Sequence, residues 1–370
     1  MKLICAQQTL SKALNTVSKA VTSRTTIPIL KGVLIKAEKD GRLILSASDL
    51  DISIEKTITG VNIIEEGSTV ISAKLFTEIV RKLPNEDVII EQKENNNVII
   101  KTSTSEFNIV GISPEEFPSI GELSGEEEKI VFEKELLKEM IRKTAFSASM
   151  DETKGLIVGV LIDMEENSTN FVALDGFRMA VVREEMKNEK RNKIIISAKI
   201  LNEINKILSD VESDEDVMLF LDKKKAILLF ENVKIVLRLL EGEFIKYKDI
   251  LPGDSKCRLK LSKILLHESL ERASLLSREG KNNLIKLKIE ESKVTITSRS
   301  EEGNVKEEVP VEREGNDIEI GFNSKYILDV LKVLDDEEII MEMVSSVKPC
   351  VIKPVEGTSF EYLVLPVRIS

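Results

Sequence analysis

Apolar and polar residues along the chain follow two patterns, one helical and one extended. In residues 71–83, ISAKLFTEIVRKL, apolar side chains recur every three or four positions, which predicts an amphipathic helix. In residues 32–48, GVLIKAEKDGRLILSAS, apolar and polar residues alternate on both sides of Asp40-Gly41, which predicts two strands joined by a tight turn. The sequence therefore predicts helices together with antiparallel strands.

The helical pattern occurs three times. Its copies, ISAKLFTEIVRKL, ISAKILNEINKIL and FNSKYILDVLKVL, occupy residues 71–83, 196–208 and 322–334. The lysines they share are Lys74, Lys199 and Lys325, so the spacings are 199 − 74 = 125 and 325 − 199 = 126 residues. This period is too long for a solenoid repeat and has the length of a domain. The sequence therefore predicts three similar domains.

Each repeat also divides into two halves. A first helix, such as TLSKALNTVSKAV at residues 9–21, precedes one hairpin, and the ISAK-type helix precedes a second hairpin. Lys12 stands 62 residues before Lys74, which is half of the period (74 − 12 = 62). We therefore predict six copies of a helix followed by strands, in an α+β fold with two helices per domain packed on antiparallel sheets.

Segments rich in glycine, proline and acidic residues mark the joints between the repeats. GELSGEEEK, at residues 121–129, follows the first repeat, and LPGDSK, at residues 251–256, follows the second. We place the three domains at residues 1–122, 123–253 and 254–370.

Basic residues recur on the predicted helices about two turns apart, which puts both members of a pair on one helical face. The pairs are Lys12 with Lys19, Lys74 with Arg81, Lys199 with Lys206, and Lys325 with Lys332, while Lys138 and Arg142 are four positions apart. The whole chain is acidic, with 53 Lys and Arg, 64 Asp and Glu, and a net charge of −11. Lysine on one exposed face can serve solubility alone. Its repetition in an acidic chain favours a single basic surface suited to phosphates.

Sequence motifs of catalysis are absent. The chain contains no GxxxxGKS/T, GxGxxG, HExxH or GxSxG, and its three cysteines form no CxxC pair. The single histidine, His267, falls in a predicted helix, where we expect an ordinary structural position. Asp49 and Asp51 lie on one side of a strand end, where a turn is favoured over a metal site, and Asp175-Gly176 predicts a second turn.

Hydropathy argues against a membrane protein. No apolar run approaches the roughly 18 residues of a membrane helix, and the first residues, MKLICAQQTLSKAL, lack the apolar segment of a secretion signal. We expect a cytoplasmic protein that needs neither a cofactor nor a metal.

The order of these features resembles the bacterial DNA sliding clamp family, the beta subunit of DNA polymerase III. The stretches that carry the resemblance extend over most of the chain: IPILKGVLI, SASDLDISIE, FSASMDE, LDGFRMAV, EGEFIKYKDILP and YLVLPVRIS. The resemblance implies three domains of the DNA-clamp fold and a head-to-tail homodimer closed into a pseudo-six-fold ring. Such a ring encircles double-stranded DNA without reading its sequence and tethers the replicative polymerase for processive synthesis, with no active site of its own.

The resemblance also implies which residues face DNA. They are Lys12, Arg24, Lys74, Arg81, Lys154, Lys199, Lys206 and Lys325. An aromatic DNA contact of the family falls on Leu156 in this chain, so we expect Lys154 to take a larger share of the contact.

In the family, a partner pocket between the second and third domains takes short QLxLF-like peptides. The peptides come from the polymerase, the clamp loader, and repair and mismatch-repair proteins. The implied pocket residues are Ile157, Leu174, Gly176, Phe177, Arg178, Met179, Ile245, Ile250, Asn323, Tyr326, Leu363, Val364, Leu365, Pro366, Val367, Arg368 and Ile369. This chain departs from the family at Ile245, which replaces a usual proline, and at Asp249, where a basic residue is common.

The implied dimer contact joins the first domain of one copy to the third domain of another. It involves Phe107 and Ile109 on one side and Leu275 and Leu276 on the other. Glu106 takes a place where the family often has a basic residue, so we expect apolar packing to carry more of this contact.

Two other interpretations remain open at this point. An enzyme of DNA or nucleotide metabolism would need a metal-binding carboxylate cluster, such as one containing Asp49 and Asp51. A scaffold that binds peptides but not DNA would keep its function after charge reversal at Lys74 and Lys199.

Overall fold

The structure is a computed structural model that describes residues 1–22, 25–253, 255–279 and 283–369. Within these ranges, the structure contains no helix whose length and apolar character would let it span a bilayer.

Among its described residues, the first third of the chain contains nine strands and two α-helices. They are β1 (Lys2–Ala6), α1 (Gln7–Val17), β2 (Gly32–Glu38), β3 (Arg42–Ser48), β4 (Ile52–Ile58), β5 (Asn62–Glu65), β6 (Gly67–Ser72), α2 (Ala73–Lys82), β7 (Asp87–Gln92), β8 (Asn97–Lys101) and β9 (Glu106–Val110).

The middle third contains eight strands and two α-helices. They are β10 (Glu128–Phe132), α3 (Lys134–Thr144), β11 (Gly159–Met164), β12 (Ser168–Leu174), β13 (Arg178–Glu185), β14 (Asn192–Ser197), α4 (Ala198–Asp210), β15 (Val217–Leu221), β16 (Lys225–Phe230) and β17 (Val233–Arg238).

The last third repeats the arrangement. Its elements are β18 (Cys257–Ser262), α5 (Lys263–Glu279), β19 (Leu284–Ile289), β20 (Lys293–Ser300), β21 (Gly303–Pro310), β22 (Glu312–Gly315), β23 (Ile318–Asn323), α6 (Ser324–Val333), β24 (Glu338–Met343), β25 (Cys350–Pro354) and β26 (Phe360–Val364).

One order of elements, a strand, a helix and three strands, is used six times. The copies begin at β1, β6, β10, β14, β18 and β23, and the short strands β5 and β22 are additions to this pattern. The predicted α+β class and the six half-repeats are therefore confirmed.

One compact unit comprises Met1–Leu137 and Lys206–Leu239. It contains a five-stranded sheet in the order β5-β1-β7-β8-β9 and an eight-stranded sheet in the order β10-β15-β16-β17-β4-β3-β2-β6. In the eight-stranded sheet, β17 pairs antiparallel with β4, so strands from the middle and first thirds share one sheet.

The second compact unit comprises Lys138–Asn205 and Leu240–Ser370. Its nine-stranded sheet has the order β14-β11-β12-β13-β26-β25-β24-β18-β22, and its four-stranded sheet has the order β21-β20-β19-β23. Here β26 pairs antiparallel with β13, so the last and middle thirds also share a sheet.

Helical and strand periodicity decide which side chains enter the core. On α1, Leu10, Leu14 and Val17 are fully buried, as expected for apolar residues that recur every three or four positions. On β2, Val33 and Ile35 are fully buried at alternate positions.

The structure corrects the prediction that Lys12 and Lys19 share one helix. The α-helix ends at Val17, and residues Ser18–Ala20 form a 3₁₀ turn that leads into extended backbone. The side chain of Lys19 is only 17% exposed, and its ammonium group lies 2.5 Å from Asp210 Oδ2. Lys19 is therefore engaged with the protein and does not extend the exposed face that carries Lys12.

Candidate functional sites

A tight turn before β13 presents Phe177 to solvent. Asp175 Oδ1 accepts hydrogen bonds from the backbone N–H groups of Phe177 at 2.8 Å and Arg178 at 3.0 Å. Gly176 has φ = +94°, a left-handed conformation that glycine adopts without strain. These contacts confirm the predicted turn, and they leave Phe177 54% exposed.

An apolar cluster next to this turn, here called the pocket floor, packs on one face of the nine-stranded sheet. Its buried members are Leu161, Val172, Leu174, Met179, Val181, Ile195, Phe244, Tyr247 and Leu363, with Leu156, Ile157, Leu240 and Leu251 partly buried against them. Four apolar residues lie within two positions of floor residues in the chain and remain 36–54% exposed: Phe177, Ile245, Ile250 and Leu365. We call these four residues the pocket rim. An apolar floor with an exposed apolar rim suits the hydrophobic side chains of a ligand.

Tyr247 fixes the segment that carries two of the rim residues. Its hydroxyl donates a hydrogen bond to Asp163 Oδ2 at 3.0 Å, and Asp163 is 1% exposed. Burial, together with the charge of Asp163, raises the pKa of Tyr247. The backbone N–H of Ile250 donates to Tyr247 O at 3.2 Å, so the turn after Ile245 is anchored through this ring. Sequence reasoning missed Tyr247, although it lies within the EGEFIKYKDILP stretch.

The C-terminal segment closes one side of the pocket floor. The backbone N–H of Leu365 donates to Phe177 O at 2.8 Å, and that of Val367 donates to Gly321 O at 2.8 Å. A Cβ at Gly321 would lie 2.8 Å from Val367 O, so only glycine permits this close approach. An antiparallel bridge between Gly321 and Val367 holds this part of the segment along β23, and Pro366 is half-buried.

The structure corrects the expected position of Val364. Phe360, Tyr362 and Val364 enter the cluster that packs with α5 and α6, whereas Leu363 enters the pocket floor. Successive residues of a strand point to opposite faces of the sheet, so Val364 lies on the face away from the pocket. Arg368 is exposed and Ile369 is half-buried.

The start of α6 borders the turn that carries Phe177. Asn323 Oδ1 accepts a hydrogen bond from the backbone N–H of Lys325 at 3.0 Å and so caps this helix. The ring of Tyr326 stacks on Phe177 with centroids 6.2 Å apart. The structure therefore brings Tyr326 into contact with the rim, whereas Asn323 caps the helix that carries Tyr326.

Arg178 is an internal side chain and is 10% exposed. Its Nη1 donates to Asp329 Oδ2 at 2.7 Å, and its Nε donates to Asp175 Oδ2 at 3.0 Å. Arg178 directly follows the rim residue Phe177 in the chain, and these contacts commit its charge to the protein.

The basic residues expected to face DNA are on the surface wherever the structure describes them. In the first unit these are Lys12, Lys74, Arg81 and Lys206, and in the second unit they are Lys154, Lys199 and Lys325. Lys12 Nζ lies 3.0 Å from Glu212 Oε1 and Arg81 Nη2 lies 3.6 Å from Glu78 Oε1, but these exposed pairs are weak and screened by salt. Arg24 lies outside the described residues.

Arg142 and Leu156 contact other parts of the protein and are not free to contact DNA. Arg142 does not act as a free partner of Lys138, because its Nη2 donates to Asp335 Oδ2 at 2.7 Å. Leu156, at the position of the family's aromatic DNA contact, packs against the pocket floor.

The residues of the expected dimer contact lie on one edge strand and on a helix beside another edge strand. β9 is an edge of the five-stranded sheet, and Phe107 on it is 39% exposed. β21 is an edge of the four-stranded sheet, next to which α5 carries Leu275, 64% exposed. Ile109 and Leu276 are half-buried. Glu106 Oε2 lies 3.5 Å from Lys101 Nζ on the neighbouring strand.

The candidate carboxylates, the single histidine and the three cysteines have the following surroundings in the described part of the chain. Asp49 Oδ1 accepts the backbone N–H groups of Asp51 at 3.1 Å and Ile52 at 2.9 Å, which confirms a turn at this strand end. His267 lies on α5 with Nε2 3.8 Å from Glu271 Oε1. The three cysteines are buried free thiols.

Three family models match successive parts of the chain. They are the N-terminal, central and C-terminal domains of the DNA polymerase III beta subunit, at residues 1–121, 131–246 and 248–368. The chain therefore has three clamp domains, and our domain limits at residues 122 and 253 stay predictions.

Curated relatives and solved structures agree with these models. The beta sliding clamps of Staphylococcus epidermidis and Staphylococcus aureus are 37% and 38% identical over 365 residues, covering 96% of both chains in each comparison. The crystal structure of the DNA polymerase sliding clamp from Bacillus subtilis is 34% identical, with a TM-score of 0.96 and full coverage of both chains. A putative DNA polymerase III beta subunit from Eubacterium rectale is 39% identical, with a TM-score of 0.94 over 99% of both chains. This chain therefore belongs to the DNA polymerase III beta subunit family, the beta sliding clamps.

Proposed function

We propose that this chain performs the sliding-clamp function of its family as a head-to-tail ring of two copies around duplex DNA. The ring tethers the replicative polymerase and other partners, which gives processive synthesis. The observation that carries this proposal is that neighbouring repeats share a sheet through the same pair of strands each time.

In both shared sheets, the last strand of one repeat pairs with the strand that ends the first half of the preceding repeat. β17 ends the second half of the middle repeat and pairs with β4, which ends the first half of the first repeat. β26 ends the second half of the last repeat and pairs with β13, which ends the first half of the middle repeat. Under the same rule, β9 should pair with β21.

Both β9 and β21 are edge strands in the described structure. Pairing β9 of one copy with β21 of another would join a five-stranded and a four-stranded sheet into a third shared sheet of nine strands. Each copy offers one strand of each kind, so the contact is heterologous, and two copies that close it leave neither strand unpaired.

Apolar side chains accompany these strands. Phe107 on β9 and Leu275 on α5 are exposed in the single chain, and burying such side chains favours association. Glu106 already has Lys101 as a partner in its own chain. We therefore propose that apolar packing and strand pairing provide more of the dimer contact than ion pairs do.

The repeated basic residues suit a ring that slides. Lys74, Lys199 and Lys325 occupy the same place in three repeats, so they present similar charges to the phosphates of a duplex. A closed ring holds DNA by topology, so each contact can be weak. A shift along the duplex then exchanges equivalent phosphate contacts. We propose these lysines, with Lys12, Arg24, Arg81, Lys154 and Lys206, as the DNA-facing set.

The pocket floor and rim suit short peptides with apolar side chains. We propose that it binds QLxLF-like segments of the polymerase, the clamp loader and repair proteins. Ile245 adds an exposed apolar side chain to the rim, and the exposed Asp249, which precedes the rim residue Ile250 in the chain, favours peptides that carry a basic flanking residue. The chain supplies no reaction of its own in this proposal, because the tethered polymerase performs the chemistry.

Retention on closed circular DNA tests the ring directly. The protein is loaded by its cognate clamp loader, and the circle is then cut once with a restriction enzyme. A topological ring stays on the intact circle in high salt and leaves after the cut. Retention that cutting does not change would contradict the proposal and favour attachment by contact alone.

A charge-reversal variant tests the DNA-facing lysines in the same assay. Lys74→Glu with Lys199→Glu should reduce loading, whereas reversal of the exposed Lys39 on the turn between β2 and β3 provides a matched control. Normal function after the double reversal would favour a scaffold that binds no DNA.

A further inference from the structure

The guanidinium group of Arg178 joins three parts of the second compact unit. Nε donates to Asp175 Oδ2 at 3.0 Å, within the turn that carries Phe177. Nη1 donates to Asp329 Oδ2 on α6 at 2.7 Å, and Nη2 donates to Phe146 O at 2.9 Å. Each of its nitrogens therefore has an acceptor in the protein.

Two aromatic rings also surround this guanidinium. Its central carbon lies 4.9 Å from the ring centroid of Tyr326 and 5.3 Å from that of Phe146. Arg178 is 10% exposed and Asp329 is 22% exposed, so the pair lies in a largely desolvated place. Hydrogen bonds between charged groups are stronger in such surroundings, and removal of one partner costs more than it does at the surface.

Asp329 and Tyr326 are three positions apart on α6 and therefore share a helical face. Tyr326 stacks on Phe177, which is the aromatic member of the pocket rim and is 54% exposed. These contacts form a closed loop. Asp329 holds Arg178, which begins β13 directly after Phe177. Phe177 in turn contacts Tyr326, which lies one helical turn before Asp329.

We propose that Asp329 is a positioning residue for the peptide pocket. Through Arg178 it keeps the turn at residues 175–178 against α6, so that Phe177 and Tyr326 form one fixed wall before a peptide arrives. A wall that is already ordered avoids the entropic cost of ordering it on binding. This inference rests on the proposed peptide-binding function of the pocket.

The test compares Asp329→Asn with the wild-type chain and with a control. Asp329→Asn keeps the shape of the side chain and removes its charge, Asp329→Glu restores the charge, and Glu356→Gln removes one exposed carboxylate elsewhere in the same unit. The probe is a synthetic peptide of sequence QLSLF, with affinity measured by calorimetry well below the unfolding temperature. Hydrogen exchange of residues 175–178 is measured in the free protein.

We expect Asp329→Asn to bind the peptide about tenfold more weakly and to exchange faster at residues 175–178, with partial recovery in Asp329→Glu and no change in Glu356→Gln. A lower unfolding temperature with unchanged affinity would reduce Asp329 to a structural role and overturn the inference. If the wild-type chain itself fails to bind QLSLF, the proposed pocket is wrong. The exchange rates then decide separately whether Asp329 fixes the turn, and unchanged rates would overturn that as well.

Discussion

Arg142, on α3, donates two hydrogen bonds at the end of α6. Its Nη2 contacts Asp335 Oδ2 at 2.7 Å, and its Nη1 contacts the carbonyl oxygen of Val333, the last residue of the helix, at 3.0 Å. The last carbonyl groups of a helix have no partner within it and attract positive charge. Arg142 thus fastens a helix of the middle repeat to the end of a helix of the last repeat.

Replacement of this arginine should weaken the second compact unit. Arg142→Ala removes both hydrogen bonds. We expect the free energy of unfolding to fall by only about 0.5–1 kcal/mol, because the side chains of Arg142 and Asp335 are 40% and 65% exposed. Urea denaturation measures this change. Lys332→Ala, an exposed position on α6, serves as the control, and an equal loss in both variants would contradict the assigned role.

The same contact predicts a dependence on acid pH. Burial alone would raise the pKa of Asp335, but its hydrogen bond to Arg142 and the charges of Arg142 and Lys143 together lower it. A lowered pKa in the folded state contributes stability above the ordinary aspartate pKa of about 3.9, and this contribution is lost as the pH falls through the lowered value.

Thermal unfolding between pH 7 and pH 2.5 checks this dependence. The wild-type chain should be more stable than Asp335→Asn at pH 7, and the difference should shrink at the acid end. A difference that stays constant with pH would show that the carboxylate charge does not matter.

Removal of the Tyr247 hydroxyl should destabilise the pocket. Tyr247→Phe leaves the buried carboxylate of Asp163 without its hydroxyl donor, and we expect a loss of about 1–3 kcal/mol in unfolding free energy. Asp163→Asn should cost less, because a neutral amide oxygen can still accept the hydroxyl and no buried charge remains. Chemical denaturation of both variants gives the comparison, and the reverse order would disprove the role assigned to this pair.

A charge at Leu275 should break the ring. Leu275→Asp places a carboxylate in the proposed apolar contact, and we expect sedimentation velocity to show monomers at micromolar concentration, where the wild-type chain forms dimers. Leu265→Asp, at a 44% exposed position near the start of the same helix, should leave the dimer intact. A dimer that persists in Leu275→Asp would place the contact elsewhere.

Leu50 and Gly176 occupy the same position in two similar turns, but the backbone is strained only at Leu50. Leu50 has φ = +78° and Gly176 has φ = +94°, each one residue after an aspartate that accepts two backbone N–H groups. A leucine in this left-handed conformation is strained, whereas asparagine and glycine tolerate it.

Leu50→Asn should therefore raise the free energy of unfolding by about 0.5–1 kcal/mol, since the leucine is 59% exposed and loses little packing. Gly176→Ala should lower it by about 1 kcal/mol, and the cause is backbone strain alone because nothing lies within 4 Å of the added Cβ. Equilibrium denaturation should show changes of opposite sign in the free energy of unfolding for the two variants. Two changes of the same sign would reject it.

Local patterns in the sequence predicted much of this fold. The alternation around Asp40-Gly41, the three lysine-marked helices and the half-period between Lys12 and Lys74 reflect contacts between neighbours along the chain. The same holds for the turns at Asp49 and Asp175, because an aspartate that accepts N–H groups two and three residues on acts locally.

Patterns failed where a contact joins distant parts of the chain. Helical periodicity placed Lys19 and Arg142 on exposed faces. In the structure Lys19 contacts Asp210, and Arg142 contacts the carbonyl oxygen of Val333, each 191 positions away in the chain. Residues 363 and 364 were both expected in the pocket, and strand alternation separates them once the sheet is in place. The link between Tyr247 and Asp163, 84 residues apart, has no signal in either local sequence.

The sequence by itself determined the repeat, its helices and strands, and the basic positions that recur with it. Only the tertiary structure decided that neighbouring repeats share sheets, that β9 and β21 remain as edges, and that Asp329 holds Arg178 beside the pocket. The physical reason is that periodicity records which face of an element is apolar. It does not record which distant element covers that face, because that depends on how the whole chain packs.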